Sequence, residues 1–229
     1  MNHALNVKNR PKKKDFFAFE TSEDAVTWTV FRALYDNGSI CRALGYPLED
    51  LQSLLFWGVP WPTGAHDPTA RELVSVLIQL GEYDDYFSEP DVIVVLSGRI
   101  LFVEVKYKED NTRQRNYRGF SRYLTKSKSL FSCNPQSIKR EGYYELVRNW
   151  IIGNRLAQRA GRQFTLVNLG LETCRESATL FGGQVADHGE FKFMTWTDLV
   201  MAIEEPISEW FASYLQSRQL LDATSNEVT

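Results

Sequence analysis

The stretch from Glu89 to Lys106, EPDVIVVLSGRILFVEVK, is the feature that most constrains this chain of 229 residues. It contains two apolar runs, Asp91–Leu96 and Arg99–Lys106, separated by the turn-forming pair Ser97-Gly98. Both runs are rich in Val, Ile, Leu and Phe and lack a simple alternation of apolar and polar residues. They therefore predict a hairpin whose strands are buried on both faces, as in a layered α/β core.

Three polar residues interrupt this apolar hairpin, namely Asp91, Glu104 and Lys106. A two-residue turn and a four-residue loop both give the same register, in which Asp91 faces Glu104 with Cβ atoms roughly 4.5–5.5 Å apart. Two buried carboxylates at that distance repel each other unless a proton or a cation lies between them. Oxygen ligands that converge from two strands suit a hard divalent ion such as Mg²⁺ or Mn²⁺.

Lys106 lies two residues beyond Glu104, so its side chain leaves the strand on the same face. An ammonium group in that position can polarise a water molecule or neutralise the charge that develops on a phosphoryl group. A slip of the strand pairing by one residue would remove this geometry. The alternative interpretation is a charged pair that reaches solvent at the end of a strand.

Pro90-Asp91 followed by Glu104-Val105-Lys106 resembles the motif of the PD-(D/E)XK nuclease superfamily in residue type, in spacing and in the apolar strands that carry it. The resemblance covers roughly Glu20–Leu34, Glu89–Lys106 and, more loosely, Gln136–Gly170. It implies an α/β fold with a restriction endonuclease-like core, in which helices flank a central mixed β-sheet. In this chain we also expect a helical insertion before the catalytic hairpin.

The activity that the resemblance implies is that of a Mg²⁺-dependent endodeoxyribonuclease, for which Mn²⁺ can replace Mg²⁺. Asp91 and Glu104 would bind the metal ion together with the carbonyl group of Val105. Lys106 would position or activate the attacking water molecule. An acidic residue of the first helix, for which Glu23 is the candidate, would complete the site directly or through water.

The first helix is predicted to begin after Thr21 or Ser22 and to end near Tyr35. Glu23 shares a helical stripe with three apolar residues that should face the sheet, Val26, Val30 and Ala33. Glu20 and Asp24 compete with Glu23 for the place in the site. The alternative role of Glu23 is a first-turn acid that favours the helix dipole.

Positive charge is concentrated in two segments, although the net charge of the chain is −3. Residues 106–128 contain eight Lys or Arg residues against two acidic ones, and residues 8–14 contain five basic residues. Aromatic residues are interleaved with the first set, and such mixtures bind phosphates and exposed bases. The candidate nucleic-acid-binding residues are Arg113, Arg115, Arg118, Arg122, Lys126 and Lys128. The alternative is a charged surface loop with Tyr117, Phe120 and Tyr123 tucked beneath it.

The remaining patterns predict further helices and strands within a single domain. We expect helices from Pro47 to about Phe56, from Pro68 to near Gly81 and from about Ser137 to Ala160, strands over Gln163–Gly170 and Phe191–Trp196, and two helices at 197–205 and 206–218. In the long helix, Arg148 is expected to form a structural ion pair with Glu145 or Glu141. This domain, residues 15–221, lies between a flexible basic arm, 1–14, and a polar tail, 222–229.

The composition limits the classes of protein to which this chain can belong. No run approaches ~18 apolar residues, so neither a membrane span nor a membrane partner is expected. Three widely spaced cysteines argue against a disulfide framework and favour the cytoplasm. The expected partner is DNA, and a homodimer or a larger nuclease complex is left open. The alternative functions are a catalytically silent nucleic-acid-binding module and a protein-interaction domain on the same fold.

Overall fold

A six-stranded mixed β-sheet with helices on both faces forms the centre of the protein. The computed structural model describes residues 19, 22–47, 50–62, 67–82, 90–111, 120–203 and 209–221. The strands are β1 (Leu51–Phe56), β2 (Val59–Trp61), β3 (Val92–Leu96), β4 (Arg99–Val105), β5 (Gln163–Gly170) and β6 (Glu190–Thr195). Their order across the sheet is β2-β1-β3-β4-β5-β6. The first four strands pair antiparallel, whereas β5 is parallel to β4 and β6 is parallel to β5.

The helices of the described residues form two layers. They are α1 (Glu23–Asp36), α2 (Ile40–Ala43), α3 (Pro68–Leu80), α4 (Phe120–Lys126), α5 (Pro135–Glu141), α6 (Tyr144–Ala160), α7 (Arg175–Gly182), α8 (Trp196–Met201) and α9 (Glu209–Ser217). One core packs α1, α2, α8 and α9 against the sheet, and the other packs α3 to α7 against the opposite face. The general α/β class that the sequence predicts is therefore confirmed.

The predicted hairpin and its register are confirmed. Every residue of β3 is buried, and so is every residue of β4 after Arg99. Val92 pairs with Val103 at one end of the hairpin, and Val95 pairs with Ile100 at the other. Continuing this register by one residue places Asp91 opposite Glu104.

The helix predicted from Pro47 to Phe56 is wrong, because residues 51–56 form β1 and pair antiparallel with β3. Trp57 and Gly58 both have a left-handed backbone, with φ of 51° and 77°, and this tight turn leads into β2. The predicted helical insertion before the β3–β4 hairpin is therefore not wholly helical. Within the described residues it consists of a β-hairpin and one helix, α3.

The long helix predicted from Ser137 to Ala160 is two helices, α5 and α6, because Gly142 between them has a left-handed φ of 90°. Helix α7 was not predicted. Helix α8 begins at Trp196, one residue before the predicted start, because Thr195 and Asp198 form a capping box, and it ends at Met201 rather than at residue 205. The remaining expectations for α3, β5 and β6 are confirmed to within one residue.

Local signals fixed the ends of α1 and α3. The side chain of Ser22 accepts a hydrogen bond from the Ala25 amide at the start of α1. Asp67 caps α3 in the same way, and Gly81 ends it in a left-handed conformation. The arm 1–14 and the tail 222–229 lie outside the described residues, so the limits of the predicted domain stay a prediction. Across the described ranges, every helix is too short or too polar to cross a membrane.

Candidate active site

The three polar residues of the hairpin are all buried where β3 begins and β4 ends. Asp91, Glu104 and Lys106 are 9%, 2% and 3% exposed. The Oδ2 atom of Asp91 accepts a hydrogen bond of 2.9 Å from the amide of Val105, which ties the start of one strand to the end of the other. The alternative in which these charges reach solvent is therefore wrong. The proposed role of the Val105 carbonyl as a metal ligand stays a prediction.

The ammonium group of Lys106 lies between two carboxylates. Its Nζ atom is 2.8 Å from Oε1 of Glu104 and 2.7 Å from Oε2 of Glu145, in the first turn of α6. Burial disfavours the charged form of Lys106, but attraction to Glu104, and next to Glu145, is stronger than this effect. The pKa of Lys106 is therefore well above its ordinary value. Lys106 is therefore a cation at neutral pH and acts as a hydrogen-bond donor, not as a base.

Three polar residues of α6 face this site, and the sequence prediction placed none of them there. Glu145, Arg148 and Asn149 share one face of the helix because they are spaced i, i+3 and i+4. Asn149 donates a hydrogen bond of 2.5 Å to Oε2 of Glu104. Arg148 lies 3.9 Å from the same oxygen, so it pairs with Glu104, which was not among the predicted partners, and it also attracts Glu145, which was. Three polar residues spaced i, i+3 and i+4 near the start of this amphipathic helix were the signal that could have identified this face.

Helix α1 brings Glu23 to the end of β4. Oε2 of Glu23 accepts a hydrogen bond of 3.0 Å from the amide of Tyr107, the residue after Lys106. Among its competitors, Asp24 repels Asp91 more weakly than Glu23 does, and Glu20 lies outside the described residues. Of the two described candidates, Glu23 therefore interacts more strongly with the hairpin, and its part in catalysis stays a prediction.

Burial dominates the acid–base behaviour of this cluster. It raises the pKa of Glu23 and of Asp91 to about 7 and that of Glu104 to about 8. The neighbouring carboxylates add to the increase, since Glu23 repels Asp91 and Asp91 repels Glu104. Glu145 behaves differently: burial opposes its ionisation, but Lys106 and then Arg148 lower its pKa to about 2.

The charges of the cluster suit a divalent cation. When all groups are ionised, four carboxylates face the cations of Lys106 and Arg148, which leaves two negative charges uncompensated. Carboxylate and carbonyl oxygens are the ligands that Mg²⁺ and Mn²⁺ prefer. In charge and in ligand type, the donor set therefore fits such an ion. As the side chains stand in the described parts of the chain, no group of three or more His, Cys, Asp or Glu residues could hold a metal ion.

The candidate nucleic-acid-binding residues fall into two groups. Arg113, Arg115 and Arg118 lie outside the described residues. Arg122 and Lys126 lie on α4 and donate to the carbonyl groups of Gly81 and Gln79, at 2.7 and 3.2 Å, so they help to hold the end of α3. Lys126 and Lys128 are exposed. Their contact with nucleic acid stays a prediction.

Two of the interleaved aromatic residues are not available to stack on bases. Phe120 and Tyr123 are fully buried and pack against the ring of Tyr144, with ring centroids 5.5 and 6.1 Å apart. The alternative in which the aromatics are tucked beneath a charged surface is therefore correct for this pair. Tyr117 lies outside the described residues.

A buried amide pair joins the beginning of the basic segment to the site. Asn111 donates a hydrogen bond of 2.7 Å to Oδ1 of Asn168, and Nδ2 of Asn168 is 3.3 Å from the carbonyl oxygen of Glu104. Both residues are buried. Asn168 was not predicted, although a polar residue in the middle of the apolar strand QFTLVNLG was a visible signal.

Comparison of the chain with protein-family models, with curated proteins and with solved structures finds no match.

Proposed function

We propose that this protein is a metal-dependent nuclease of the PD-(D/E)XK type that hydrolyses phosphodiester bonds of DNA. The observation that carries the proposal is the buried set Asp91, Glu104 and Lys106 at the adjoining ends of β3 and β4. Burial of three charged groups is costly unless each has a partner. A protein that uses this fold only to bind nucleic acid has no need of such a set.

The proposed core is restriction endonuclease-like. A mixed sheet in which the hairpin β3–β4 is followed by the parallel strand β5 supports this proposal, as does a first helix that brings Glu23 to the hairpin. The connection from β4 to β5 runs over the face of the sheet that is opposite to α1. Its last helix, α6, supplies Glu145 and Asn149. The family assignment itself rests on the motif in the sequence.

In the proposed reaction, Asp91, Glu104 and the carbonyl group of Val105 would hold Mg²⁺. The bound ion would supply Lewis-acid stabilisation of the negative charge that develops on the phosphoryl oxygens. Lys106 donates hydrogen bonds as a cation, so its part is to position the attacking water and to stabilise charge rather than to accept a proton. Glu23 would complete the site directly or through water.

The substrate would approach over the basic surface around α4. Lys126 and Lys128 are exposed there, and Lys139 of α5 reaches α4 through a hydrogen bond of 2.9 Å to the Ser121 side chain. Arg155 of α6 donates to the carbonyl oxygen of Lys126 at 2.9 Å. These cations come from three helices and converge on one surface, as contacts with a phosphate backbone require.

The experiment that tests this function is a cleavage assay on supercoiled plasmid and on labelled single strands, in EDTA, Mg²⁺ and Mn²⁺. It compares the wild type with Glu104→Ala, and with Glu176→Gln as a control that removes an exposed glutamate of α7. We expect metal-dependent nicking or linearisation by the wild type and the control, and none by Glu104→Ala. Circular dichroism of the variants separates loss of chemistry from loss of fold.

Two other outcomes are informative: one would refute the activity, and the other would refute the assignment of Glu104 to the site. If neither the wild type nor the control cuts and neither binds Mn²⁺, the metal-dependent activity is refuted, and DNA affinity that falls steeply with salt would then identify a binding module. If Glu104→Ala cuts as fast as the wild type, Glu104 has no place in the site and the residue assignment is wrong.

A further inference from the structure

Both oxygens of Glu104 already have partners in this structure. Oε1 accepts from Lys106 at 2.8 Å, and Oε2 accepts from Asn149 at 2.5 Å with Arg148 at 3.9 Å. A cation that took Oε1 would meet the Lys106 ammonium at the same atom, and two cations that close repel each other. Metal binding by Glu104 therefore requires Lys106 to give up this contact.

Glu145 offers Lys106 a second carboxyl partner. Its Oε2 is 2.7 Å from Nζ, and its side chain is 27% exposed, whereas the side chains of Glu104 and Lys106 are only 3% and 4% exposed. Glu145 belongs to the 17-residue helix α6, so it is held independently of the strand ends that carry Asp91 and Glu104. An ammonium group that leaves Glu104 can therefore keep its charge paired. Without Glu145, the same movement would leave the buried ammonium without a carboxylate in hydrogen-bond contact, although Glu23 and Asp91 still attract it from farther away, and this loss of a direct partner is unfavourable.

Asn149 keeps the rest of Glu104 in place during such an exchange. Its amide binds Oε2, the oxygen that Lys106 does not use, and its own Oδ1 accepts from Arg148 at 3.2 Å. The contact of Oε1 with Lys106 has to change, whereas the contact of Oε2 with Asn149 can stay. The polar face of α6 thus divides into Asn149, which orients the carboxylate, and Glu145, which retains the ammonium.

We propose that Glu145 is a positioning residue that retains the Lys106 ammonium when Glu104 binds a metal ion, and so sets the metal affinity without being a ligand. This inference rests on the proposed function. It makes a prediction that a ligand role would not make: removal of the Glu145 charge weakens metal binding only while Lys106 is present. Once Lys106 has been removed, no ammonium competes for Glu104 and Glu145 has nothing to retain.

The test is a double-mutant cycle in which the dissociation constant for Mn²⁺ is measured by calorimetric titration, without substrate. The four proteins are the wild type, Glu145→Gln, Lys106→Met and the double variant. Glu141→Gln, which removes an exposed glutamate at the end of α5, is the matched control. We expect the dissociation constant to rise about tenfold in Glu145→Gln. We expect it to stay unchanged in Glu141→Gln and to be the same in Lys106→Met and in the double variant.

An equal weakening by Glu145→Gln in the presence and absence of Lys106 would overturn the inference, because it would indicate a ligand or a purely structural role. An unchanged dissociation constant in Glu145→Gln would overturn it as well. That second comparison needs only the single variant, so it stands if Lys106→Met does not fold. If the wild type does not bind Mn²⁺ at all, both the proposed function and this inference are refuted. If the wild type binds Mn²⁺ and Glu145→Gln has no effect on the dissociation constant, only this inference is refuted.

Discussion

Glu104→Gln should make the stability of the metal-free protein less dependent on pH. Burial raises the pKa of Glu104 from an ordinary value of 4.5 to about 8. Between pH 4.5 and about pH 8, Glu104 is protonated in the folded protein but ionised in the unfolded chain. The folded state therefore loses stability as pH rises through this window. Glutamine has nearly the same shape as the protonated acid but cannot ionise, so the variant should not show this loss.

The expected magnitude follows from one proton. Each pH unit within the window changes the free energy of unfolding by about 1.4 kcal/mol for every proton that only the folded state binds. Between about pH 5.5 and about pH 7.5 the wild type should then lose roughly 3 kcal/mol more than Glu104→Gln. Glu145 does not interfere, because its pKa is held near 2, below this range. Glu23 and Asp91 have raised pKa values as well, so the variant should keep part of the slope.

The assay is urea denaturation in EDTA at several pH values across this window. Glu176→Gln serves as the control, because Glu176 is an exposed glutamate of α7. This variant should show the same dependence of the free energy of unfolding on pH as the wild type. Saturating Mn²⁺ should stabilise the wild type more at high pH than at low pH, because more carboxylate is ionised there. Parallel stability curves for the wild type and Glu104→Gln would refute the reasoning, since they would mean that Glu104 titrates in the folded protein as it does in water.

Three further predictions concern the reaction, the substrate surface and the core. Lys106→Ala should reduce turnover strongly while Mn²⁺ affinity survives, and a large loss of metal affinity in a titration would instead show that the role of Lys106 is misassigned. Replacing Lys126 and Lys128 by Gln should weaken DNA binding and reduce the slope of log affinity against log salt by about 2, as measured by fluorescence anisotropy, and an unchanged slope would exclude this surface. Gly153→Ala should destabilise the fold by about 1–3 kcal/mol in urea denaturation, because the added methyl group would overlap the ring of Phe164, and an unchanged midpoint would contradict this packing.

Sequence reasoning failed where a local signal disagreed with a contact between distant parts of the chain. Pro47 followed by acidic residues is a typical helix start, yet Leu51–Phe56 is a strand. The pairing with β3 decides the conformation there, because a strand beside the buried hairpin satisfies its backbone hydrogen bonds through residues about 40 positions away in sequence. No local pattern contains that partner.

The sequence by itself determined the features that depend on near neighbours. The apolar runs and the turn at Ser97-Gly98 set the register of the hairpin, so the placement of Asp91 opposite Glu104 could be calculated without a structure. The ends of α1 and α3 were equally predictable, because capping side chains act within three residues.

Only the tertiary structure decided what surrounds that carboxylate pair. Glu145 and Asn149 reach Lys106 and Glu104 across 39 and 45 positions of sequence. They meet there because α6 packs over the sheet between β4 and its parallel partner β5. Sequence spacing shows which residues share one face of a helix. It does not show where that face packs, because the position of the helix on the sheet depends on the whole core. The charge state of Lys106 follows from that packing, since it is set by carboxylates from separate elements that burial removes from water.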